Sequence, residues 1–151
     1  MKNLILPLFA LLMFSCSEDE PDVTNPNAGS YVVKSLVLEN CTPESNNVNA
    51  NFSEGTDCVS NTEYEHCRSG RLIIAEDNTF TSTIKISRRS FVLDLNLPLY
   101  TINGQGNASA AGQTLNICIG NNCDEFIVEG NTYTHTYETI GCTNKIILEK
   151  E

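Results

Sequence analysis

The stretch TFTSTIKI, Thr79 to Ile86, alternates with period two: Phe80, Ile84 and Ile86 share one face with Ser82, while Thr79, Thr81, Thr83 and Lys85 take the other. Successive side chains of a strand point to opposite faces, so this alternation predicts a half-buried β-strand. The pattern sets Phe91, Leu93, Leu95 and Leu97 against Val92, Asp94 and Asn96, and it returns at Leu115, Ile117 and Ile119 and at Ile146 and Leu148. Turn residues separate the runs at 76–78, 87–89, 104–112, 120–122, 129–131 and 140–144. Short connections join antiparallel neighbours, because a parallel pair needs a long crossover. The expectation is an all-β chain with strands near 30–38, 70–76, 79–87, 90–97, 99–104, 113–119, 123–129, 132–139 and 144–150. If residues 90–104 are one strand, the count is eight. A meander of that size leaves no open edge when it closes into an up-and-down barrel.

The N-terminus is organised differently. Lys2, an apolar run from Leu4 to Phe14 broken only by Pro7, and the small Ser15 before Cys16 form a secretory signal. The run is about half of the ~20 residues that a spanning helix needs. Met13-Phe14-Ser15-Cys16 resembles the lipobox of bacterial lipoproteins, which implies removal of residues 1–15 and lipidation of Cys16; the other reading is an ordinary cleaved signal with an incidental cysteine. Of seven cysteines, loss of Cys16 to a lipid leaves six, an even number. The run Ser17-Glu18-Asp19-Glu20 resembles a surface-export signal of lipoproteins in one Gram-negative phylum; the other reading is a solvated charge run. Residues 16–28 then form a polar, proline-punctuated tether that reaches at most about 45 Å when fully extended. The implied location is the outer membrane, lipid-anchored, at the cell surface or on the periplasmic face. Removing residues 1–15 takes away one charged residue, Lys2, and makes the formal net charge of -10 one unit more negative. Such a surface repels nucleic acid, so no nucleic-acid partner is expected.

Between the first two expected strands lies an insert, Asn40 to Ser69, rich in Asn, Ser, Glu and Cys, with no usable period. Loops of that length are usually functional or disordered, and three cysteines argue for order. In an oxidising compartment Cys41, Cys58, Cys67, Cys118, Cys123 and Cys142 read as disulfide partners. Cys118 and Cys123 flank a hairpin-length loop, Cys58 and Cys67 close the insert on itself, and Cys41 is left for Cys142, one of about 15 connectivities that six cysteines allow. A metal site built from Cys58, His66 and Cys67 with Cys41 has the wrong ligand spacing for zinc, so neither metal nor cofactor is expected.

The segments GSYVV (Gly29–Val33), GRLIIAEDNTF (Gly70–Phe80), YTING (Tyr100–Gly104), QTLNI (Gln113–Ile117), FIVEGNTY (Phe126–Tyr133) and KIILEK (Lys145–Lys150) resemble the lipocalin-like domain of bacterial surface and periplasmic lipoproteins, with Tyr31 where that family has Trp. The resemblance covers residues 29–151 and implies an eight-stranded antiparallel barrel and a small apolar ligand.

Among candidate site residues, Tyr133, His135 and Tyr137 share a strand face, which either lines a cavity or forms an aromatic row on the outer wall. Arg88-Arg89 either grips an anion or is a charged hairpin tip. The glycines of Gly104–Gly112 lack the Lys-Ser/Thr ending and the helix of a phosphate loop, so a flexible loop is expected there. No nucleophile and base stand at a recognisable spacing, so no enzyme is expected. Two functions remain. In the first, Phe80, Ile84, Phe91, Leu93, Ile117, Tyr133 and His135 line a site for a small, mostly apolar ligand inside the barrel. In the second, a solid barrel displays the 40–69 insert to an extracellular protein or glycan.

Overall fold

The structure, a computed structural model, describes residues 25–52, 54–139 and 141–151; the expected signal segment and Cys16 lie outside the described residues. Its strands are β1 Gly29–Glu39, β2 Val48–Asn51, β3 Cys58–Ser60, β4 Tyr64–Ser69, β5 Leu72–Ile74, β6 Thr79–Ser90, β7 Leu95–Ala111, β8 Thr114–Ile119, β9 Asn122–Glu129, β10 Thr132–Thr139 and β11 Cys142–Lys150. Eight of them, β1 and β5 to β11, close an antiparallel barrel in chain order, and the ring is sealed by β1 pairing with β11 on one side and with β5 on the other.

The insert is not a loop. It contributes β2, β3, β4 and a 3-10 turn at Glu44–Asn46, all outside the eight-strand ring. The reason lies in β5, which is three residues long and covers only the first parts of β1 and β6. Past it, Ser35–Leu38 of β1 pairs with β2, and Lys85–Ser90 of β6 pairs with β4. Arg68 of β4 lies across the gap between these two added strands: its guanidinium donates to the Val33 carbonyl, pairs with Asp57 at 3.2 Å and covers the Phe52 ring at 5.4 Å. Disulfides join Cys41 to Cys142, Cys58 to Cys67 and Cys118 to Cys123.

The region after β6 differs from expectation. Residues 91–94 are a turn rather than part of a strand, and Arg88 and Arg89 lie within β6 rather than at a tip. Three interactions fix the turn there: Phe91 N–H donates to the Glu63 carbonyl at 2.9 Å, Leu93 N–H donates to Ser90 Oγ at 3.2 Å, and Arg89 meets Asp94 at 2.9 Å. Residues 104–111, expected as a flexible loop, are strand, because β7 runs on through them to pair with β8. The small residues serve close approach, since a Cβ on Gly106 would sit 2.0 Å from the Cys118 carbonyl oxygen.

Inward positions of every barrel strand make one core, with Tyr31, Leu36, Phe80, Ile84, Ile86, Phe126 and Ile146 fully buried. The two barrel ends differ. The tether enters beside the β5–β6 turn, where Asn25 N–H donates to Glu76 Oε2 at 2.8 Å. At that end Tyr31 and Tyr133 meet edge to face at 4.7 Å, and their hydroxyls bind Asn27. The opposite end, the mouth, carries the 91–94 turn, the β8–β9 turn and the 3-10 turn of the insert. Near the mouth the ladders part: β7 meets β8 only over Asn107–Ala111, and β9 meets β10 only over Ile127–Glu129. Side chains cross these gaps. His135 Nδ1–H donates to the Glu125 carbonyl at 2.8 Å, Tyr100 to Asp124 at 2.8 Å, and Tyr137 to the Leu99 carbonyl at 3.0 Å.

Candidate functional site

Of the seven residues expected to line a ligand, the structure brings five together inside the barrel: Phe80, Ile84, Ile117, Tyr133 and His135 face inward and are at most 9% exposed, packed against other core side chains. Phe91 and Leu93 do not join them. They stand on the turn after β6, 45% and 73% exposed, because the strand ends at Ser90 and the alternation expected beyond it is interrupted by the turn.

The Tyr133, His135, Tyr137 row faces inward, and His135 packs between Phe126 and Tyr137 at ring distances of 5.1 and 5.5 Å, with Tyr100 at 5.4 Å. Burial, reinforced by the nearby Asp124 carboxylate, pushes Tyr137 up to about 12 and Tyr100 well above the usual phenol range. Both stay protonated and act as hydrogen-bond donors, so this cluster works as a clasp across the parted ladders. The cysteines of the expected alternative metal set are joined in disulfides. Cys58, Cys67 and Glu65 lie close together, but a disulfide sulfur is not a thiolate ligand.

A cavity of about 640 Å³ lies outside the barrel wall, where β1, β4 and β5 diverge. Its cations are matched: Lys34 with Glu149 at 2.8 Å, Arg68 with Asp57, and Arg71 with Glu151 at 3.5 Å. A smaller cavity at the mouth, about 210 Å³, has different chemistry. Leu93, Leu95, Leu97 and Leu99 form its apolar wall, and Tyr64 and Arg88 form its polar side, with Asn46 from the insert at the rim. The apolar surface continues outward, since Phe91, Val92, Leu93, Leu95 and Leu97 are all 45% exposed or more. A run of exposed apolar side chains of this kind is a candidate contact site.

Arg88 reaches this cavity because it keeps the inward parity of Phe80, Ser82, Ile84 and Ile86 along β6. Its guanidinium lies 3.5 Å from the Tyr64 ring centroid, and its Nε is buried with no hydrogen-bond partner among the described residues. Directly across the ladder stands His66, whose Nε2 also lacks a partner. Burial, with the Arg88 charge adding to it, lowers His66 to about 4, so at neutral pH it carries no charge. Sequence reasoning names Arg88 only within a pair that either grips an anion or forms a hairpin tip, and it misses Leu95 and Leu99 as contacts; the signal that separates Arg88 from Arg89 is the period-two register of Thr79–Ile86 extended two residues further. The chain matches no family model, no curated protein and no solved structure.

Proposed function

We propose that the chain is a non-enzymatic binding lipoprotein of the bacterial outer membrane, anchored through Cys16, that takes a small, mostly apolar ligand at the barrel mouth. The resemblance to lipocalin-like lipoproteins and the lipobox-like Met13–Cys16 support the class and the anchor. The observation that carries the site is the run of exposed apolar side chains from Phe91 to Leu97 beside a leucine-walled cavity. The site on this reading lies not in the interior, where side chains already pack, but at the end away from residues 25–28. On this reading the insert is the rim of the site, contributing Asn46 and Tyr64.

The test is native mass spectrometry of the protein purified from its own envelope, beside a denatured run, for the wild type and for a Leu95→Asp, Leu97→Asp double variant. The expected result is an excess mass on the wild type that denaturation releases and that the variant lacks. A bare wild type, or equal loading of both, refutes a mouth ligand. A second reading is favoured by the reach of the apolar surface beyond the cavity over Val92 and Leu93, 77% and 73% exposed: docking of an extracellular protein or glycan on the same tip. Copurification of a macromolecule with the wild type and not with the variant would select it.

A further inference from the structure

We infer that the mouth selects an anionic amphiphile, an alkyl chain ending in a carboxylate that docks on Arg88. The inference rests on the mouth-ligand reading and adds to it the charge and shape of the ligand. Four arginines are present in the chain, and three meet carboxylates: Arg68 with Asp57, Arg71 with Glu151 and Arg89 with Asp94. Arg88 meets none among the described residues, and it is the arginine that lines the mouth cavity. A guanidinium partly withdrawn from water with no counter-charge is a costly arrangement. An incoming carboxylate meets that need, because its two oxygens match the planar fork.

The surroundings favour an anion of one charge. Tyr64 lies under the guanidinium and restricts its plane, and neutral His66 opposite neither competes with Arg88 for the ligand nor adds a second charge. The other wall consists of leucines, which suit methylenes and offer nothing to a second polar group. A volume of about 210 Å³ takes about seven groups of ~30 Å³ each, so a head group and the first carbons fill it, and a longer tail lies along Phe91 and Val92. The chain as a whole is strongly acidic and repels anions at long range, so recognition has to be local to Arg88.

The test uses the full secreted chain with Cys16→Ser, which carries no acyl group of its own, titrated at pH 7 by calorimetry with decanoate and with decanol. These two probes share a chain and differ in the head. Wild-type protein is expected to bind decanoate at least tenfold more tightly than decanol, since hydrogen bonds to a charged partner contribute about ten- to a hundredfold. Arg88→Gln is expected to erase that preference while leaving decanol within threefold. Arg88→Lys should retain part of it, and Arg89→Gln, outside the cavity, should leave both ligands unchanged. The wild-type comparison needs no variant, so misfolding of Arg88→Gln cannot obscure it. Equal binding of the two probes overturns the carboxylate inference and leaves the mouth-ligand reading standing. Absence of binding by either overturns both.

Discussion

The bond between Cys41 and Cys142 should matter more than either of the other two disulfides, and the difference follows from chain length. Cross-linking removes loop-closure entropy from the unfolded ensemble in proportion to the logarithm of the loop. For sequence separations of 101, 9 and 5 residues the chain-entropy relation gives about 4.7, 2.7 and 2.2 kcal/mol. A domain of this size is stable by about 5–15 kcal/mol in total, so the first value is a large share and the last a small one. The perturbation is paired replacement by alanine, Cys41→Ala with Cys142→Ala, against Cys118→Ala with Cys123→Ala. Both are unfolded in urea with the remaining disulfides intact. The first variant should lose roughly twice the stability of the second, and its denaturant slope should rise, because an unfolded chain freed of a long loop exposes more surface. Cys41 is itself buried, so a cavity contribution adds to the loss. Equal losses for the two variants, or an unchanged slope with a small loss, would refute the argument and mean that the reduced unfolded state is already held compact by other contacts.

Two further outcomes test the fold. Gly70 has φ +75°, and a Cβ there would lie 2.0 Å from the Thr83 carbonyl oxygen, so Gly70→Ala should lower Tm by roughly 10 °C or more, whereas Gly112→Ala, at φ +62° with open space around it, should lose only the ~1–2 kcal/mol of a left-handed backbone; differential scanning calorimetry separates them. His66 titrates near 4 in the fold and near 6.5 in the unfolded chain. Its contribution to stability is therefore present above about pH 6.5 and is lost as the pH falls toward 4, because the unfolded state binds the proton first. Urea midpoints across that window should fall less steeply in His66→Gln than in the wild type, and parallel curves would show that His66 is not the group responsible.

Strand identity was legible wherever one face is apolar and the other polar. Thr79–Ile86, Leu115–Ile119 and Ile146–Leu148 lie in strands with the apolar face inward up to Ile117, Ile119 being exposed at the strand end, and of the two faces left open for Tyr133, His135 and Tyr137 the structure takes the inward one. Three regions were not legible, each for a physical reason. The far half of β7 is built of Gly, Ala, Ser and Asn, which carry a loop composition, yet they form a ladder because small side chains let β7 pass against β8. The strands of the insert are three to six residues long, and one parity of β4 carries Tyr64, the buried His66 and Arg68, so polarity hides the alternation of the strand. The apolar alternation from Phe91 to Leu97 was visible, but a pattern cannot say which end of a strand is covered, and here the chain turns in its middle. The candidate site is half legible in the same sense: Phe91 and Leu93 are named, but as barrel lining with Phe80 and Ile84, and Arg88 is left between an anion grip and a hairpin tip because the parity of β6 is not followed past Ile86.

The opposition of tether and mouth has a mechanical side. Barrel strands are tilted by roughly 35–45°, so a pull between the two ends acts more along the strands than across them, whereas the hydrogen bonds between strands run across them, and the bonds of a ladder are loaded together largely in shear. β1, the first strand after the tether, is held to β11 from Tyr31 to Glu39. Two residues beyond that ladder the Cys41 to Cys142 bond stops any peeling from passing into the rest of the chain. Sideways load meets much less resistance, because near the mouth β7 and β8 are joined by no ladder and the wall there hangs on tyrosine and histidine side chains. On the proposed lipid-anchored reading, the barrel is thus stiff along the line from its N-terminal end to the mouth and compliant across it, at the end where the leucines are exposed.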